Sequence, residues 1–337
     1  MLVFRSCRLA SAVLLAAAAT LRAQSGATQQ DSTLDNLVHA PGYQTSSLGT
    51  ITDVVRRGKG PVDLVLIAGW GLGADVFASF MRANESRYRM VAVTLPGFGG
   101  TRAPPMPPAG TSYGDATWLR AAEEAIAGVI RSEGLRKPVV LGQFIVSTQL
   151  AFRLALDHPD LVGGLVIVGG EPMRYYPSRK DPSGKTPVSR RERVAAVDAY
   201  TAPHWFKTVT KQTFDVNNYA PAQYARDSAR AMALWTEVAA VPLPVMIRYL
   251  CEYMAMDLTD DFPRLAVPTR VLVPSFAPEI FADPKQKYVK PLFVDAWDNV
   301  RGRNSLIIIR TVPDSRIFIT DDQPAAVVAA IAEVARR

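Results

Sequence analysis

Residues 138–168 read PVVLGQFIVSTQLAFRLALDHPDLVGGLVIV, and the order of the segments within this stretch predicts a fold. It begins with four residues of strand character, which Gly142 ends. Apolar residues at helical spacing follow over 150–157, and a His-Pro-Asp sequence at 158–160 predicts the end of that helix. A second apolar run then occupies 165–168. Two buried strands joined by a helix form a βαβ unit, in which the strands are parallel.

Similar segments lie on both sides of this unit. Continuous apolar runs are typical of parallel strands that are buried on both faces. Their alternation with helical patterns predicts an α/β fold, with a mostly parallel twisted sheet and helices on both of its faces. The apolar runs are 62–68, 89–95, 270–273 and 306–309, and the helical patterns are 118–130 and 325–335.

Between residues 171 and 265 the strand-like runs stop. We predict that this segment is a helical cap inserted over the carboxyl edge of the sheet, with 45–170 and 266–337 forming the sheet domain. Its helical patterns cover 191–200, 221–241 and 245–256, and its aromatic residues include Tyr175, Tyr176 and Trp205.

Four segments, in this order, resemble the α/β-hydrolase superfamily, in particular its cap-bearing esterase-, lipase- and epoxide-hydrolase-like members. The first is LIAGWG, and the second is VAVTLPGFGGT. The third runs from Gly142 through the strand at 165–168, and the fourth joins a strand-opening VPT to an Asp-Gln-Pro before the last helix. The resemblance implies a serine nucleophile on a strained strand-to-helix turn, a histidine base and an acid that orients the histidine.

None of these three groups stands at its expected position. Counting forward from Gly142 places Phe144 at the nucleophile position, whereas counting back from the His-Pro pair places Ile145 there. Spacing from Pro324 places Ile317 at the histidine, and spacing along the strand opened by VPT places Ala277 at the acid. The replacements are apolar, which is typical of a site that no longer handles protons.

The leading hypothesis is therefore a catalytically impaired or inactive α/β-hydrolase-fold protein, a pseudo-hydrolase. An open cleft would be lined by apolar surface and would suit a small apolar or amphiphilic ligand. The alternative is that the same large residues fill the former cavity. The oxyanion turn and cleft residues are Gly69, Trp70, Gly71, Gln143, Phe144, Ile145, Phe276 and Ile317, and the predicted roof is Tyr175, Tyr176 and Trp205.

Two other functions stay open at this point. The first is an active carboxylester hydrolase with a displaced nucleophile, Ser147, which would need a base such as His204 and an acid such as Glu171 or Glu279. The chain has three histidines, so few bases are available. The second is a partner-binding surface on the cap.

Residues 1–23 combine a basic start, an apolar run at 9–21 and a small residue, Ala23, which is the pattern of a signal peptide. We therefore expect an exported protein, periplasmic or secreted, with residues 24–44 as a flexible lead-in. The alternative for residues 1–23 is an uncleaved membrane anchor, which the short apolar run disfavours. No other apolar run is long enough to predict a membrane span. The net charge of +7 falls to +4 without the three arginines of the leader, which disfavours nucleic acid as a partner.

The overall composition fits a folded globular protein of 337 residues, with 48% hydrophobic and 20% charged residues. One of the two cysteines, Cys7, lies in the leader, so the mature chain is expected to have no intramolecular disulfide. Without clustered Cys and His residues, no metal site or cofactor is predicted. The sequence leaves the oligomeric state open.

Overall fold

The computed structural model describes residues 47–172 and 188–335. Its centre is a seven-stranded sheet in the order β1-β3-β2-β4-β5-β6-β7, in which β1 is antiparallel to β3 and all other neighbours are parallel. The predicted fold class, a mostly parallel sheet combined with helices, is confirmed. The strands are β1 (Val54–Arg57), β2 (Val62–Ile67), β3 (Tyr88–Val93), β4 (Val139–Gln143), β5 (Gly164–Val168), β6 (Thr269–Pro274) and β7 (Ile307–Val312).

Two helices of the sheet domain, Thr117–Ser132 and Val146–Asp157, pack against each other. The second also packs against β4 and β5, and a C-terminal helix covers β5 and β6. Each predicted apolar run coincides with a strand to within two or three residues at either end. The helices before the cap are α1 (Ala78–Ala83), α2 (Thr117–Ser132) and α3 (Val146–Asp157).

The described residues between β5 and β6, which we call the cap, contain five α-helices and no strand. The single helix expected over 221–241 is broken, because Asp227 caps a new helix there by accepting a hydrogen bond from the Arg230 N–H at 2.7 Å. The helices are α4 (Arg190–Ala196), α5 (Ala202–Thr208), α6 (Lys211–Asn218), α7 (Ser228–Ala240) and α8 (Leu243–Ala255).

Four short elements complete the C-terminal third. They are α9 (Pro278–Ala282), α10 (Val289–Phe293), α11 (Ile319–Asp322) and α12 (Pro324–Ala335). α9 and α10 lie between β6 and β7, and α11 and α12 follow β7.

Helix α8 joins the cap to the sheet domain. The Glu252 carboxylate accepts hydrogen bonds from the backbone N–H groups of Trp118, at 3.1 Å, and Leu119, at 2.9 Å, at the start of α2. The same carboxylate is paired with Arg248, with 2.6 Å between the closest atoms. One turn away, the Tyr249 hydroxyl donates to the Pro96 carbonyl at 3.0 Å. A side chain of the cap therefore satisfies N–H groups that the first turn of a helix cannot pair internally.

Within the described ranges, no single helix is long and apolar enough to cross a membrane. Helices α7 and α8 pass that test only as a pair, and they meet at a bend of 97°. Every residue of α8 is buried in the protein, as expected for a helix at the centre of a folded core.

Candidate functional site

The strand-to-helix turn after β4 has a strained backbone. Phe144 has φ 71°, and Ile145, which immediately precedes α3, has φ 53° and ψ −109°. Positive φ is rare for residues other than glycine, and it is most costly for β-branched ones. The turn is also tight, since a Cβ atom on Gly142 would lie 2.6 Å from the Ser147 carbonyl oxygen. This is the geometry of a nucleophile elbow, and its last residue before the helix is Ile145.

Ser147 lies inside the first turn of α3 and is fully buried. Its hydroxyl donates to the backbone carbonyl of Gln143 at 2.5 Å and lies 3.3 Å from that of Phe144. A displaced nucleophile would need an exposed hydroxyl with a base in reach. The described structure places Ser147 in neither situation, so the alternative with Ser147 as nucleophile is contradicted by its burial and its hydrogen bonds.

An aromatic cluster fills the space above the turn. The Phe144 ring is in contact with Trp70, Tyr224, Phe293 and Phe318, with ring centroids between 5.6 and 6.4 Å apart. Phe276 joins through Phe293 at 6.2 Å. We call these six residues the elbow cluster, and all of them are buried. Edge-on, tilted and stacked ring contacts of this kind stabilise a packed core.

The predicted oxyanion turn, residues 69–71, packs against the elbow cluster through Trp70. The Trp70 N–H donates to the Phe144 carbonyl at 3.4 Å, and its indole N–H donates to the Met246 carbonyl in α8 at 3.3 Å. A Cβ atom on Gly69 would lie 2.5 Å from the Gln143 carbonyl oxygen, so only glycine fits there. Gly71 has φ +83°, which again favours glycine. The N–H of the turn is thus used inside the protein.

The loop that would carry the acid ends in Phe276 and Ala277. Phe276 is buried with φ 50°, and its N–H donates to the Ser315 carbonyl at 3.0 Å. Ala277 is partly exposed at the start of α9, and Glu279 is exposed in the first turn of that helix. Glu171, the other predicted acid, is fully buried just beyond β5.

The loop that would carry the histidine is bound to the cap by backbone hydrogen bonds. The Ile317 N–H donates to the Gln223 carbonyl at 3.1 Å, and the Phe318 N–H donates to that of Tyr224 at 2.8 Å. The Asp322 carboxylate accepts from the N–H groups of Arg226 and Arg316 at 2.8 and 2.7 Å. Burial raises the pKa of this carboxyl above its usual range. Ile317 is itself fully buried.

The remaining predicted residues do not assemble into a relay. His204 is exposed on α5, and its Nε2 lies 3.3 Å from the Thr208 hydroxyl. Trp205 is buried in the same helix. Tyr175 and Tyr176, the other predicted roof residues, lie outside the described residues. Gln143 is buried at the end of β4, and its Oε1 accepts from the Thr320 hydroxyl at 2.7 Å.

Sequence reasoning missed four members of this neighbourhood, namely Phe214, Tyr224, Phe293 and Phe318. Phe214 of α6 packs edge-on against Trp70 at 6.0 Å, so Phe214 and Tyr224 are the cap residues that cover the elbow. Phe318 could have been found, because it follows the histidine position directly. Phe293 lies in a short helix between β6 and β7, where no sequence signal marks it.

No group of three or more His, Cys, Asp or Glu side chains suited to a metal ion occurs among residues 47–172 and 188–335. The polar side chains around the elbow include Gln143, Ser147, Thr148, Gln149 and Thr320, which are all buried and uncharged. Burial also raises the pKa of the Tyr224 phenol, so that this side chain stays neutral. The elbow and the rings above it are therefore a packed group of apolar and uncharged polar side chains.

Solved structures share this architecture. The esterase EaEST from Exiguobacterium antarcticum superposes with a TM-score of 0.59 at 14% identity, over 83% of this chain and 94% of that protein. A hydrolase from Pseudomonas aeruginosa gives a TM-score of 0.58 at 16% identity, over 88% of this chain and all of that protein. At such identities these likenesses establish the fold alone.

Proteins found by sequence comparison have higher identities to this chain than these structures do. No family model matches the chain. A pimeloyl-[acyl-carrier protein] methyl ester esterase from Aeromonas hydrophila is 30% identical over 216 residues, which is 64% of this chain and 76% of that protein. The protein of the same name from Photorhabdus laumondii is 33% identical over 130 residues, 38% of this chain and 43% of that protein. By sequence and by fold, this chain belongs to the α/β-hydrolase superfamily.

Proposed function

We propose that this protein is an exported pseudo-hydrolase, which keeps the α/β-hydrolase fold but does not hydrolyse esters through a Ser-His-acid triad. The observation that carries the proposal is Ile145, which has the strained conformation of the elbow (φ 53°, ψ −109°) and a hydrocarbon side chain. A nucleophile at this turn needs a hydroxyl or thiol, which isoleucine cannot supply.

The other two triad positions support the same function. Ile317 and Ala277 carry no group that can accept a proton or orient a base. When a triad is removed from a serine hydrolase, the remaining rate enhancement is about 10³–10⁴-fold and comes from substrate binding and the oxyanion hole. Here the Trp70 N–H already donates to the Phe144 carbonyl, so it does not serve an oxyanion. The rate enhancement that remains without a triad is therefore smaller still.

The elbow cluster favours a filled cavity over an apolar ligand pocket. Trp70, Phe144, Phe276 and Ile317 were candidates for lining a cleft, and each is less than 7% exposed. Large side chains that contact one another across the former site leave little surface for a ligand. A small apolar or amphiphilic ligand at the elbow would therefore have to displace rings from a packed core, at a considerable cost.

An active esterase is the second candidate, and the 30% identity to a pimeloyl-[acyl-carrier protein] methyl ester esterase favours it. In that case the catalytic groups would come from residues that the family pattern does not mark. One experiment separates the two candidates. The protein is incubated with a fluorophosphonate probe and measured by intact mass, and p-nitrophenyl acetate and butyrate hydrolysis is followed in parallel, with an active serine esterase as positive control.

We expect no adduct on this protein and no turnover above buffer, while the positive control is labelled fully. A stoichiometric adduct would overturn the proposal. Peptide mapping would then identify the nucleophile, and turnover that persists in Ser147→Ala but is lost in an alanine variant of the mapped residue would establish an unfamiliar active site.

Export has its own test. The pattern at 1–23 predicts cleavage after Ala23, so N-terminal sequencing of the chain from a bacterial periplasm or culture medium is expected to begin at Gln24. A full-length chain that begins at Met1 and stays with the cytoplasmic fraction would refute export without affecting the proposed loss of catalysis.

A further inference from the structure

A cavity lies at the junction of the sheet domain and the cap, between α2, α3, α4 and the segment after α8. Its volume of about 60 Å³ admits a few water molecules or one small polyatomic group. The residues that line it contain three arginines and no acid. They are Tyr113, Gly114, Ala116, Arg120, Arg153, Arg190, Val194, Ala255, Met256 and Leu258.

The three arginines differ in their partners. Arg153 is paired with Asp157 and lies 4.0 Å from Glu123. Arg190 donates to the Asp261 carboxylate at 2.7 Å and to the Asp257 carbonyl at 2.6 Å. The Arg120 guanidinium has no hydrogen-bond or ion-pair partner among residues 47–172 and 188–335. One guanidinium at the cavity is thus uncompensated, beside two others that keep spare N–H donors.

We propose that this cavity binds a small oxyanion, a carboxylate or a phosphate group, with Arg120 as its principal ligand. A guanidinium presents a planar fork of N–H donors, which matches two oxygens of a carboxylate or phosphate. An anion bound at the junction would contact both α2 and α4 and would bridge the sheet domain and the cap. The site uses none of the elbow residues, so it stands independently of the proposed loss of catalysis.

The rest of the lining bears on the source of the oxyanion. Val194, Ala255, Met256 and Leu258 form an apolar wall beside the arginines. A carboxylate that carries a short hydrocarbon chain would place that chain against this wall, whereas inorganic phosphate would use the arginines alone. A carboxylate and a phosphate would form the same kind of hydrogen bonds with Arg120. Only a carboxylate that carries an alkyl chain would gain further affinity from the apolar wall.

The test is isothermal titration calorimetry of the full chain with inorganic phosphate, acetate and hexanoate, each at constant ionic strength set with chloride. The key variant is Arg120→Gln. The matched control is Arg131→Gln, which changes an exposed arginine on the same helix that also lacks a partner among the described residues and does not line the cavity. Circular dichroism checks that both variants are folded.

We expect saturable binding of at least one of the three anions, weakened about tenfold or more in Arg120→Gln and unchanged in Arg131→Gln. Hexanoate binding more tightly than acetate would identify a carboxylate with an apolar tail, and phosphate binding most tightly would identify a phosphate group. No saturable binding of any anion would overturn the proposal. Equal weakening in the two variants would also overturn it, because the effect would then be general screening of positive charge.

Discussion

Ile145 combines a side chain and a backbone conformation that oppose each other. A left-handed φ costs a residue with a Cβ atom roughly 1–2 kcal/mol, and branching at Cβ adds to that cost. Strain of this kind persists only where the surrounding structure enforces it. Here the tight approach of Gly142 to Ser147 and the packing of the elbow cluster enforce it, although the residue in the turn is an isoleucine.

This strain predicts an unusual order of stability among variants of Ile145. Both Ile145→Ala and Ile145→Gly remove buried methyl groups, at about 2–5 kcal/mol. Glycine also relieves the left-handed strain, which more than offsets its backbone entropy cost of about 0.5–1 kcal/mol. We expect Ile145→Gly to be at least as stable as Ile145→Ala in urea unfolding.

The matched control is Leu154, a fully buried residue in the middle of α3. At that position the glycine variant should be less stable than the alanine variant by about 1 kcal/mol, because glycine disfavours helix. If the two sites gave the same order, the backbone at Ile145 would not be strained in solution.

The sequence predicts apolar residues at the triad positions, but it leaves the elbow position open between Phe144 and Ile145. The ambiguity has a physical origin. Sequence patterns follow intrinsic preferences, and no preference places a β-branched residue at positive φ, so nothing in the sequence marks where the turn is strained. The structure gives both residues positive φ, and only Ile145 directly precedes α3.

At the scale of helices and strands, prediction succeeded where burial sets the pattern. The central strands β4, β5 and β6 are buried along their whole length, whereas β7 at the edge of the sheet is only partly buried. The edge strand β1 was not predicted from the sequence. Its four residues, VVRR, are only partly buried, and two of them are arginines, so they do not form an apolar run. The break before α7 was missed because Asp227 reads as an ordinary polar residue until its capping hydrogen bond is seen.

The pair α2–α3 contains a carboxyl with a shifted pKa. Glu123 of α2 is 4% exposed and faces Asp157 and Arg153 of α3. Burial first, and the neighbouring Asp157 second, raise the pKa of Glu123 to about 7. Its unfolded pKa is about 4.5, so the folded protein holds this proton more tightly than the unfolded chain does. The contribution of this proton to the free energy of unfolding is fully present below pH 4.5 and is lost as the pH rises through 7.

We therefore expect Glu123→Gln, which cannot ionise, to be more stable than the wild type at pH 8 by about 1–3 kcal/mol, with the difference vanishing near pH 4.5. Urea unfolding between pH 4.5 and 8 measures it. Asp160→Asn, a change at an exposed acid just beyond α3, should show no such pH dependence. A wild type whose advantage over Glu123→Gln grows with pH would contradict the raised pKa.

At the scale of the whole molecule, the cap and the sheet domain share one hydrophobic core. Phe214 and Tyr224 of the cap pack on Trp70 and Phe144 of the sheet domain. The change in sequence pattern between residues 171 and 265 predicts a helical cap, but it does not predict this shared core. The contacts join residues that are far apart in the chain, and no local pattern records them.

A shared core should make the protein unfold as one cooperative unit. We expect far-UV circular dichroism and tryptophan fluorescence to give coincident urea transitions. The five tryptophans report on both parts: Trp70, Trp118 and Trp297 lie in the sheet domain, and Trp205 and Trp235 lie in the cap. The decisive variant is Glu252→Ala, which removes the acceptor for two N–H groups of α2 and leaves Arg248 buried without its carboxylate. Loss of one partner of a buried ion pair costs about 3–5 kcal/mol.

In Glu252→Ala both probes should therefore shift to lower urea together. The control Glu85→Ala removes an exposed partner of Arg57 and should cost less than about 1 kcal/mol. Separate midpoints in Glu252→Ala, with one probe changing before the other, would mean that α8 can leave the sheet domain while the sheet stays folded. The cap would then unfold separately from the sheet domain. An anion bound between the cap and α2 would in that case stabilise the contact between two parts that can separate. Coincident midpoints instead mean that the cap and the sheet domain unfold as one unit, as expected if the elbow cluster joins them.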